Sequence, residues 1–447
     1  MDLMVAYNKT WRCNTNGVMR YLAIVALLLL GVLNPLAGSR IDSFAGFFVL
    51  SLVAVPSLSN SKLFLMIVFL ITLGFFSQIK GFDIMAVWGI LTGFSLAFVL
   101  EKFKAQRFAV FVLIAAFLIS SYAASGDLRA MLARDLPLYT YNNDPGVFLK
   151  TYQQLESGQP YYLSLLKAHD GRFAQRGMPT DIWGLRMPTL FYIWSFLPGG
   201  GTGIYILFLA ISSGALFCAY KITEKYLGSR SDLLSSYLLF PYLHYAARDQ
   251  MMLETEWWGV IIFIIGLCFL LFRKHFFAVI SLSLSTLIRE LFIIPVFLLL
   301  IYYFFTDRKL IYITAIPFFA FCLLFLVHLT AANYYIDAFG SLFRPRVIPF
   351  GNIFLQQTFA FGSWEYLLFM FKPFYLLFVL AIVGSLFIFL RKSKTDGLII
   401  LFSFLIFPIA FLKIGTLPFN DYWGILFMPQ TLIFAPLSLG WVLKQPK

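Results

Sequence analysis

Long apolar runs that contain no charged residue recur along the chain, and they constrain the fold more than any other feature. A membrane-spanning helix needs about 20 apolar residues, within a range of about 17–25. With 60% hydrophobic and only 12% charged residues, against about 25% charged in soluble domains, the composition excludes a soluble enzyme. We predict an all-α polytopic membrane protein. Its transmembrane helices number about 14, some of them short: 21–39, 43–61, 63–79, 84–100, 108–126, 187–220, 233–247, 257–272, 276–288, 291–306, 310–336, 373–390, 397–412 and 422–443.

Basic residues between these runs predict the orientation of the chain, because Lys and Arg concentrate in cytoplasmic loops. One alternation of spans places every basic connection in the cytoplasm, together with both termini. These connections hold 19 basic and 6 acidic residues, against 15 and 15 elsewhere, so they carry the whole formal net charge of +13. Topology therefore explains the charge without a nucleic-acid partner. The connections are 1–20, Lys62, 101–107, 221–232, 273–275, 306–309, 391–396 and 444–447.

The run 187–220 holds 34 residues without a charge and is interrupted by Gly199, Gly200 and Gly201. A second full span here would break the alternation of the loops. We therefore expect a short re-entrant or interfacial helix at 188–197, followed by a true span from about Gly203.

Three longer connections fall on the outer side: 127–186, 248–256 and 333–365. The first is too polar to be buried in lipid, and we expect short helices there that lie on the membrane surface. Residues 1–107 are predicted to form an N-terminal module of four spans whose role the sequence does not indicate. The remainder, 108–447, contains every candidate for a functional site.

The first candidate is Asp144, near the start of the outer connection 127–186. Charged groups close to a membrane are costly and often mark a site. Asp144 also precedes Pro145, and Asp before Pro is typical of a turn or a helix N-cap. The local sequence is compatible with both interpretations.

The second candidate group contains Arg248, Asp249, Glu254 and Glu256 in the short connection 248–256. If the segment is helical, Asp249 and Glu256 share one face because they are seven residues apart, whereas Glu254 does not. A solvated loop would explain the same charges.

Further charges lie between apolar runs. Arg289 and Glu290 separate two runs that are too short to reach water easily, and they are either part of a site or a local ion pair at the interface. Lys372 either extends its amine to the membrane surface or faces a lipid phosphate. Arg344 and Arg346 are the other cationic candidates for an anionic ligand.

A metal site is not predicted. The four His residues are scattered and no two have ligand spacing, and the four Cys residues show no paired spacing. We expect neither a metal nor another cofactor. The histidines are His169, His244, His275 and His328, and the cysteines are Cys13, Cys218, Cys268 and Cys322.

The order of these elements resembles the GT-C superfamily of integral membrane glycosyltransferases, of the aminoarabinose transferase and protein mannosyltransferase type. The resemblance covers residues 139–436. It departs from the family pattern in two ways: Asp144 is followed by Pro145 rather than a second acid, and four additional spans precede the usual first one. The matching stretches are Asp144-Pro145-Gly146, Gly158-Gln159-Pro160-Tyr161, Arg186-Met187-Pro188, Arg248-Asp249, Arg289-Glu290 and Asn420-Asp421-Tyr422-Trp423.

The resemblance implies a GT-C-like catalytic membrane module at 108–447, in the plasma membrane of a bacterium or archaeon. The enzyme would move a hexose or pentose from a polyprenyl-phosphate carrier to a lipid, glycan or protein acceptor on the outer face. Such a reaction serves the synthesis of cell-envelope polysaccharide or glycolipid. Asp144 would be the general base, which implies inversion at the anomeric carbon, and Asp249 would stand at the second acidic position. The carrier phosphate would be bound by Arg289, Arg248, Lys372, Arg344 and Arg346, with Glu254, Glu256, Glu290, Tyr161 and Arg186 in support.

Two other functions fit a chain of this composition. A polysaccharide polymerase or ligase would share the chemistry and differ in its acceptor. A transporter or flippase of lipid-linked sugars would show repeated halves with discontinuous helices. The sequence contains no such repeat, and its charges cluster in outer connections rather than in the middle of spans.

Overall fold

The computed structural model describes residues 108–133, 144–169, 185–228, 233–338, 355–356, 358–359, 373–412 and 418–441. Within these ranges the chain is helical and contains no β-strand. The predicted all-α fold is confirmed for this part of the chain. The proposed N-terminal module, 1–107, lies outside the described residues.

Within the described ranges, several consecutive α-helices are joined by short turns, some of them of the 3-10 type. The α-helices of these ranges are α1 Ala109–Ala124, α2 Gly126–Leu132, α3 Asp144–Glu156, α4 Tyr161–His169, α5 Thr189–Ser195, α6 Gly201–Leu227, α7 Leu234–Arg248, α8 Thr255–Leu271, α9 His275–Ile288, α10 Ile293–Thr306, α11 Tyr312–Ala338, α12 Pro373–Arg391, α13 Lys394–Phe411 and α14 Met428–Phe434.

Several helices have the length and composition to cross a membrane. Within the described ranges, three qualify singly: Gly201–Leu227, Tyr312–Tyr335 and Lys394–Phe411. Helices α1 and α2 qualify together, although the chain bends by 70° between them. Shorter apolar helices accompany them, at Thr255–Leu271, His275–Ile288, Glu290–Thr306 and Tyr375–Arg391. The chain is therefore a membrane protein.

The glycine-interrupted run forms two separate helices, as predicted. The short α5 ends at Ser195 and α6 begins at Gly201. Gly199 and Gly200 adopt positive φ values of 79° and 59°, a region that side chains other than that of glycine rarely occupy. A Cβ on Gly201 would clash with the backbone of Leu132, so the glycine lets the start of α6 touch the end of α2.

The last apolar run differs from the prediction. A single helix over 422–443 is wrong: α14 is preceded by a 3-10 segment, Pro418–Leu426, and followed by another, Ala435–Trp441. Pro429 and Pro436 lack the backbone N–H that a continuous helix requires. The element lies inside the bundle, where residues 424–437 are buried.

Polar side chains gather at two opposite ends of the helix bundle. At one end, Asp396 accepts hydrogen bonds from Lys225 Nζ at 2.9 Å, Arg273 Nη2 at 2.8 Å and Tyr226 OH at 2.7 Å. These residues come from connections that the charge pattern assigns to the cytoplasm. The 17 residues of α8, about 25 Å at 1.5 Å per residue, separate this end from Glu256.

Candidate functional site

Residues from five separate parts of the sequence meet at the opposite end of the bundle. We call this group the carboxylate–arginine cluster. It consists of Asp144 at the start of α3, Arg186 before α5, Glu254 and Glu256 around the start of α8, Arg289 and Glu290 between α9 and α10, and Tyr422 in the segment Pro418–Leu426.

Glu256 holds both arginines of the cluster. Its Oε1 lies 2.9 Å from Arg289 Nε, an ion-pair contact outside hydrogen-bond geometry, and 3.4 Å from Arg186 Nη2. Its Oε2 accepts a hydrogen bond from Thr255 Oγ1 at 3.1 Å. The Glu256 side chain is fully buried, so the arginines supply the opposite charge that burial of a carboxylate requires.

Arg289 is also fully buried. Its Nη1 donates to Glu290, and its guanidinium carbon lies 5.3 Å from the centre of the Trp423 ring, within the range of a cation–π contact. Its Nη2 has no hydrogen-bond partner among the described residues. One donor of a buried cation is thus left for a ligand.

Arg289 reaches this position because α8 and α9 pack very closely. A Cβ on Gly259 of α8 would lie 2.8 Å from Arg289 Cβ and 2.9 Å from Phe292 Cε2. Ser285 of α9 donates a hydrogen bond to the Gly259 carbonyl at 2.9 Å. Glycine at this position therefore sets the depth at which Arg289 enters the cluster.

Asp144 is half-buried and occupies the first turn of α3. The positive end of the helix dipole favours a carboxylate there. Tyr422 OH donates to Asp144 Oδ2 at 3.4 Å and accepts from Arg186 Nη2 at 3.5 Å. Burial raises the pKa of the Tyr422 hydroxyl well above its usual value, and Glu256 and Asp144 raise it further. Tyr422 therefore stays protonated beside the Asp144 carboxylate.

Arg186 is anchored through its backbone. Its carbonyl accepts a hydrogen bond of 2.6 Å from Tyr161 OH, and the neighbouring Tyr162 hydroxyl lies 2.9 Å from His328 Nδ1 on α11. Burial lowers the pKa of the Arg186 guanidinium, but Glu256 and further acidic neighbours raise it more, and the net pKa is above its usual value. Arg186 is thus a fixed positive charge.

Glu254 immediately precedes α8, and its side chain is turned inward, 4% exposed. Burial raises the pKa of this carboxyl well above its usual range, and the carboxylates of Asp144 and Glu256 raise it further against the opposing effects of Arg186 and Arg289. Its Oε2 has no hydrogen-bond partner in the part of the chain that the structure describes.

The structure brings most of the predicted site residues together. Tyr161 supports the cluster through its hydrogen bond to the Arg186 carbonyl. The six charged members of the cluster were all candidates from the sequence. Within the connection 248–256, however, the expected shared face of Asp249 and Glu256 is wrong. A 3-10 turn, Gln250–Leu253, and an extended Glu254 interrupt the helix, so Glu254 and Glu256 both point inward.

The remaining candidates lie elsewhere. Asp249 is exposed and accepts a hydrogen bond from Gln250 N at 2.6 Å. The Arg248 guanidinium carbon lies 5.6 Å from the Tyr245 ring centre. Arg344, Arg346 and Lys372 lie outside the described residues.

Two members of the site were not predicted from the sequence as site residues. Tyr422 joins Asp144 to Arg186, and Trp423 covers Arg289. Both belong to the stretch Asn420-Asp421-Tyr422-Trp423, whose aromatic pair directly follows a polar pair. That break in the apolar pattern is the signal that could have identified them.

Across the described ranges, no group of three or more His, Cys, Asp or Glu side chains is arranged to hold a metal ion. Comparisons with protein families, curated proteins and solved structures found no match.

The cluster combines three chemical capacities. Asp144 is a half-buried carboxylate that can accept a proton. Arg289 Nη2 is a cationic donor that can meet an anion. The carboxylates can accept hydrogen bonds from sugar hydroxyls, and the neighbouring aromatic rings offer an apolar face to a sugar ring.

Proposed function

We propose that the chain is a membrane glycosyltransferase of the GT-C type, which moves a sugar from a polyprenyl-phosphate carrier to an acceptor on the outer face of the membrane. The observation that carries the proposal is the meeting of Asp144 and the buried Arg289 in one cluster, joined through Tyr422, Arg186 and Glu256. The reaction needs a group that accepts the proton of the acceptor hydroxyl and a cationic group that donates a hydrogen bond to the departing phosphate.

In the proposed reaction, an acceptor hydroxyl attacks the anomeric carbon as the bond from that carbon to the carrier phosphate breaks. Asp144 takes the proton of the hydroxyl, and attack from the face opposite the phosphate inverts the anomeric carbon. The phosphate departs with the bonding electrons, and Arg289 Nη2 stabilises the developing negative charge. In this proposal Arg289 Nη2 is the cationic hydrogen-bond donor to the departing phosphate, and no metal takes part.

The proposal includes a topology of about 14 spans with both termini in the cytoplasm, based on the charge pattern of the loops. The two polar layers support it. Asp396, Lys225 and Arg273, from three basic connections, lie at one end of the bundle. The carboxylate–arginine cluster, from the intervening connections, lies at the other end and would face the outer surface.

The position of the cluster also favours an enzyme over a transporter. Secondary transporters bind their substrates near the middle of the membrane, whereas Glu256 and Arg289 lie at the ends of α8 and α9. Polysaccharide polymerases and ligases perform the same chemistry on other acceptors, so the acceptor assay below includes glycans as well as lipids.

The test is transfer by the purified full chain in liposomes. Labelled sugars on a polyprenyl phosphate are supplied with lipid, glycan or peptide acceptors, and the anomeric configuration of any product is determined. We expect a labelled product of inverted configuration, formed equally well in the presence of a chelator. A retained configuration would exclude a single displacement assisted by Asp144, and failure of every donor would contradict the proposed function.

A further inference from the structure

Glu254 and Arg289 are buried members of the cluster, and each has a side-chain atom without a hydrogen-bond partner among the described residues; Glu290 Oε2 is a further such atom. Arg289 is fully buried and Glu254 is 4% exposed. Neither Arg289 Nη2 nor Glu254 Oε2 has a hydrogen-bond partner among the residues that the structure describes. An unsatisfied buried polar atom costs about 1–3 kcal/mol, so two of them in one cluster indicate a place where a ligand supplies the missing partner.

The charge of the cluster decides what Glu254 can do. Among the described residues, four carboxyl groups of the cluster stand against two guanidinium groups, so full ionisation of these six would leave two excess negative charges. A phosphate would be repelled by such a site. One bound proton halves this excess negative charge. We place it on Glu254, because Glu256 and Glu290 are each ion-paired with arginine.

We propose that Glu254 binds the phosphate of the lipid-linked donor as a protonated carboxyl, which donates a hydrogen bond to a phosphate oxygen beside the one donated by Arg289 Nη2. This inference rests on the proposed function and adds a second phosphate-binding residue to it. Burial and the neighbouring carboxylates keep the pKa of Glu254 well above its usual range, in agreement with this role.

The groups that face Glu254 all bear on its protonation. Asp144 and Glu256 disfavour its charged form, and Arg186 and Arg289 favour it. The Tyr422 hydroxyl also interacts with Glu254 and remains a neutral donor. Because the acidic neighbours and burial outweigh the arginines, the proton leaves Glu254 only as the pH rises well above the ordinary range of a carboxyl group.

The consequence is a loss of phosphate affinity on the alkaline side. When Glu254 ionises, the site loses a donor and gains a like charge beside the phosphate. A hydrogen bond to a charged group corresponds to a change of about 10- to 150-fold in affinity. We therefore expect the affinity for a singly charged polyprenyl methyl phosphodiester, whose own charge is constant, to fall by at least about tenfold as Glu254 loses its proton.

The test compares Glu254→Gln and Glu254→Ala with the full-length wild type over a range of pH. The Gln variant keeps a neutral donor at every pH, so it should bind the diester like the wild type at low pH and show no alkaline loss. The Ala variant should bind weakly throughout. Glu224→Gln, at the far end of α6, is the matched control and should behave like the wild type. An alkaline loss in the Gln variant equal to that of the wild type would overturn the role of Glu254.

A second measurement needs only the wild type. If Glu254 must be protonated to bind the diester, binding above its pKa takes up a proton, which calorimetric titration in two buffers of different ionisation enthalpy detects. Absence of proton uptake where the affinity falls would contradict the proposal. Failure of the proposed function is distinguishable: in that case the diester binds with the expected pH dependence, but no sugar is transferred.

Discussion

Arg289 Nε lies 2.9 Å from Glu256 Oε1, and both side chains are fully buried. The pair joins the start of α8 to the end of α9 and holds the guanidinium beside Trp423. Removal of either partner would leave a buried charge with fewer counter-charges, because Arg289 would keep Glu290 and Glu256 would keep Arg186. The geometry of the proposed phosphate site therefore depends on an acid that never touches the substrate.

Replacement of Glu256 should destabilise the protein. Glu256→Gln removes the carboxylate that Arg289 and Arg186 share and leaves Glu290 as the carboxylate paired with Arg289. Removal of one partner of a buried pair costs about 3–5 kcal/mol, and because Glu290 remains we expect a loss of about 3 kcal/mol, at the lower end of that range. Chemical or thermal unfolding in detergent measures the loss. Glu224→Gln breaks only a partly exposed pair with Lys221 and should cost at most about 1 kcal/mol. Equal stability of the two variants would contradict a stabilising role of the buried Arg289–Glu256 pair.

Gly259 offers an independent test of how Arg289 is positioned. Gly259→Ala forces a methyl group against Arg289 and Phe292, and overpacking of this kind costs about 1–3 kcal/mol. Transfer should fall as well, because Arg289 is displaced from the site.

Gly214→Ala is the matched control, since a Cβ there meets only Ile265 Cδ1 at an ordinary distance of 3.5 Å. It should leave stability unchanged or raise it by up to about 1 kcal/mol, as helix propensity predicts. The same loss of activity in both variants would show that Gly259 has no specific role in positioning Arg289.

Orientation in the membrane can be measured by cysteine labelling in a background without the four native cysteines. Ser157 after α3 and Lys392 after α12 are both exposed. Ser157→Cys should react with an impermeant reagent added outside, and Lys392→Cys only after the membrane is opened. Labelling of position 392 from outside would reverse the topology on which the placement of the cluster is based.

Much of the fold follows from the apolar runs, because an uninterrupted apolar stretch has no stable state in lipid other than a helix. The positions of α7 to α13 agree closely with the runs, and the glycine break before α6 was also evident. The last element was misjudged because hydropathy does not register the missing N–H groups of Pro429 and Pro436.

The candidate site was predictable in its charges and not in its geometry. Unusual charges near apolar runs identified Asp144, Arg289 and Glu290, and the family resemblance added Arg186. Helical periodicity favoured Asp249 over Glu254, however, since that argument assumes a continuous helix across 248–256. The extended backbone of Glu254, with ψ at 130°, breaks the period and turns its side chain inward. Such a break depends on tertiary packing rather than on local sequence.

Asp144 is the proposed base of the sugar transfer. Asp144→Asn keeps the shape of the side chain and its contact with Tyr422, but removes the ability to take a proton. Loss of a general base lowers rates by about 10²–10⁴-fold. Binding of the lipid donor should be retained, because the base touches the acceptor and not the carrier phosphate.

The decisive measurement is single-turnover transfer from a labelled polyprenyl-phosphate sugar by the Asp144→Asn variant, with donor binding determined on the same preparation. Asp127→Asn, an exposed acid of α2, serves as the control and should match the wild type. We predict a fall in rate of about 10²–10⁴-fold, with the donor bound at least as tightly as by the wild type, because the substitution removes one negative charge from the cluster. A near-normal rate in Asp144→Asn would contradict the role of Asp144 as the base.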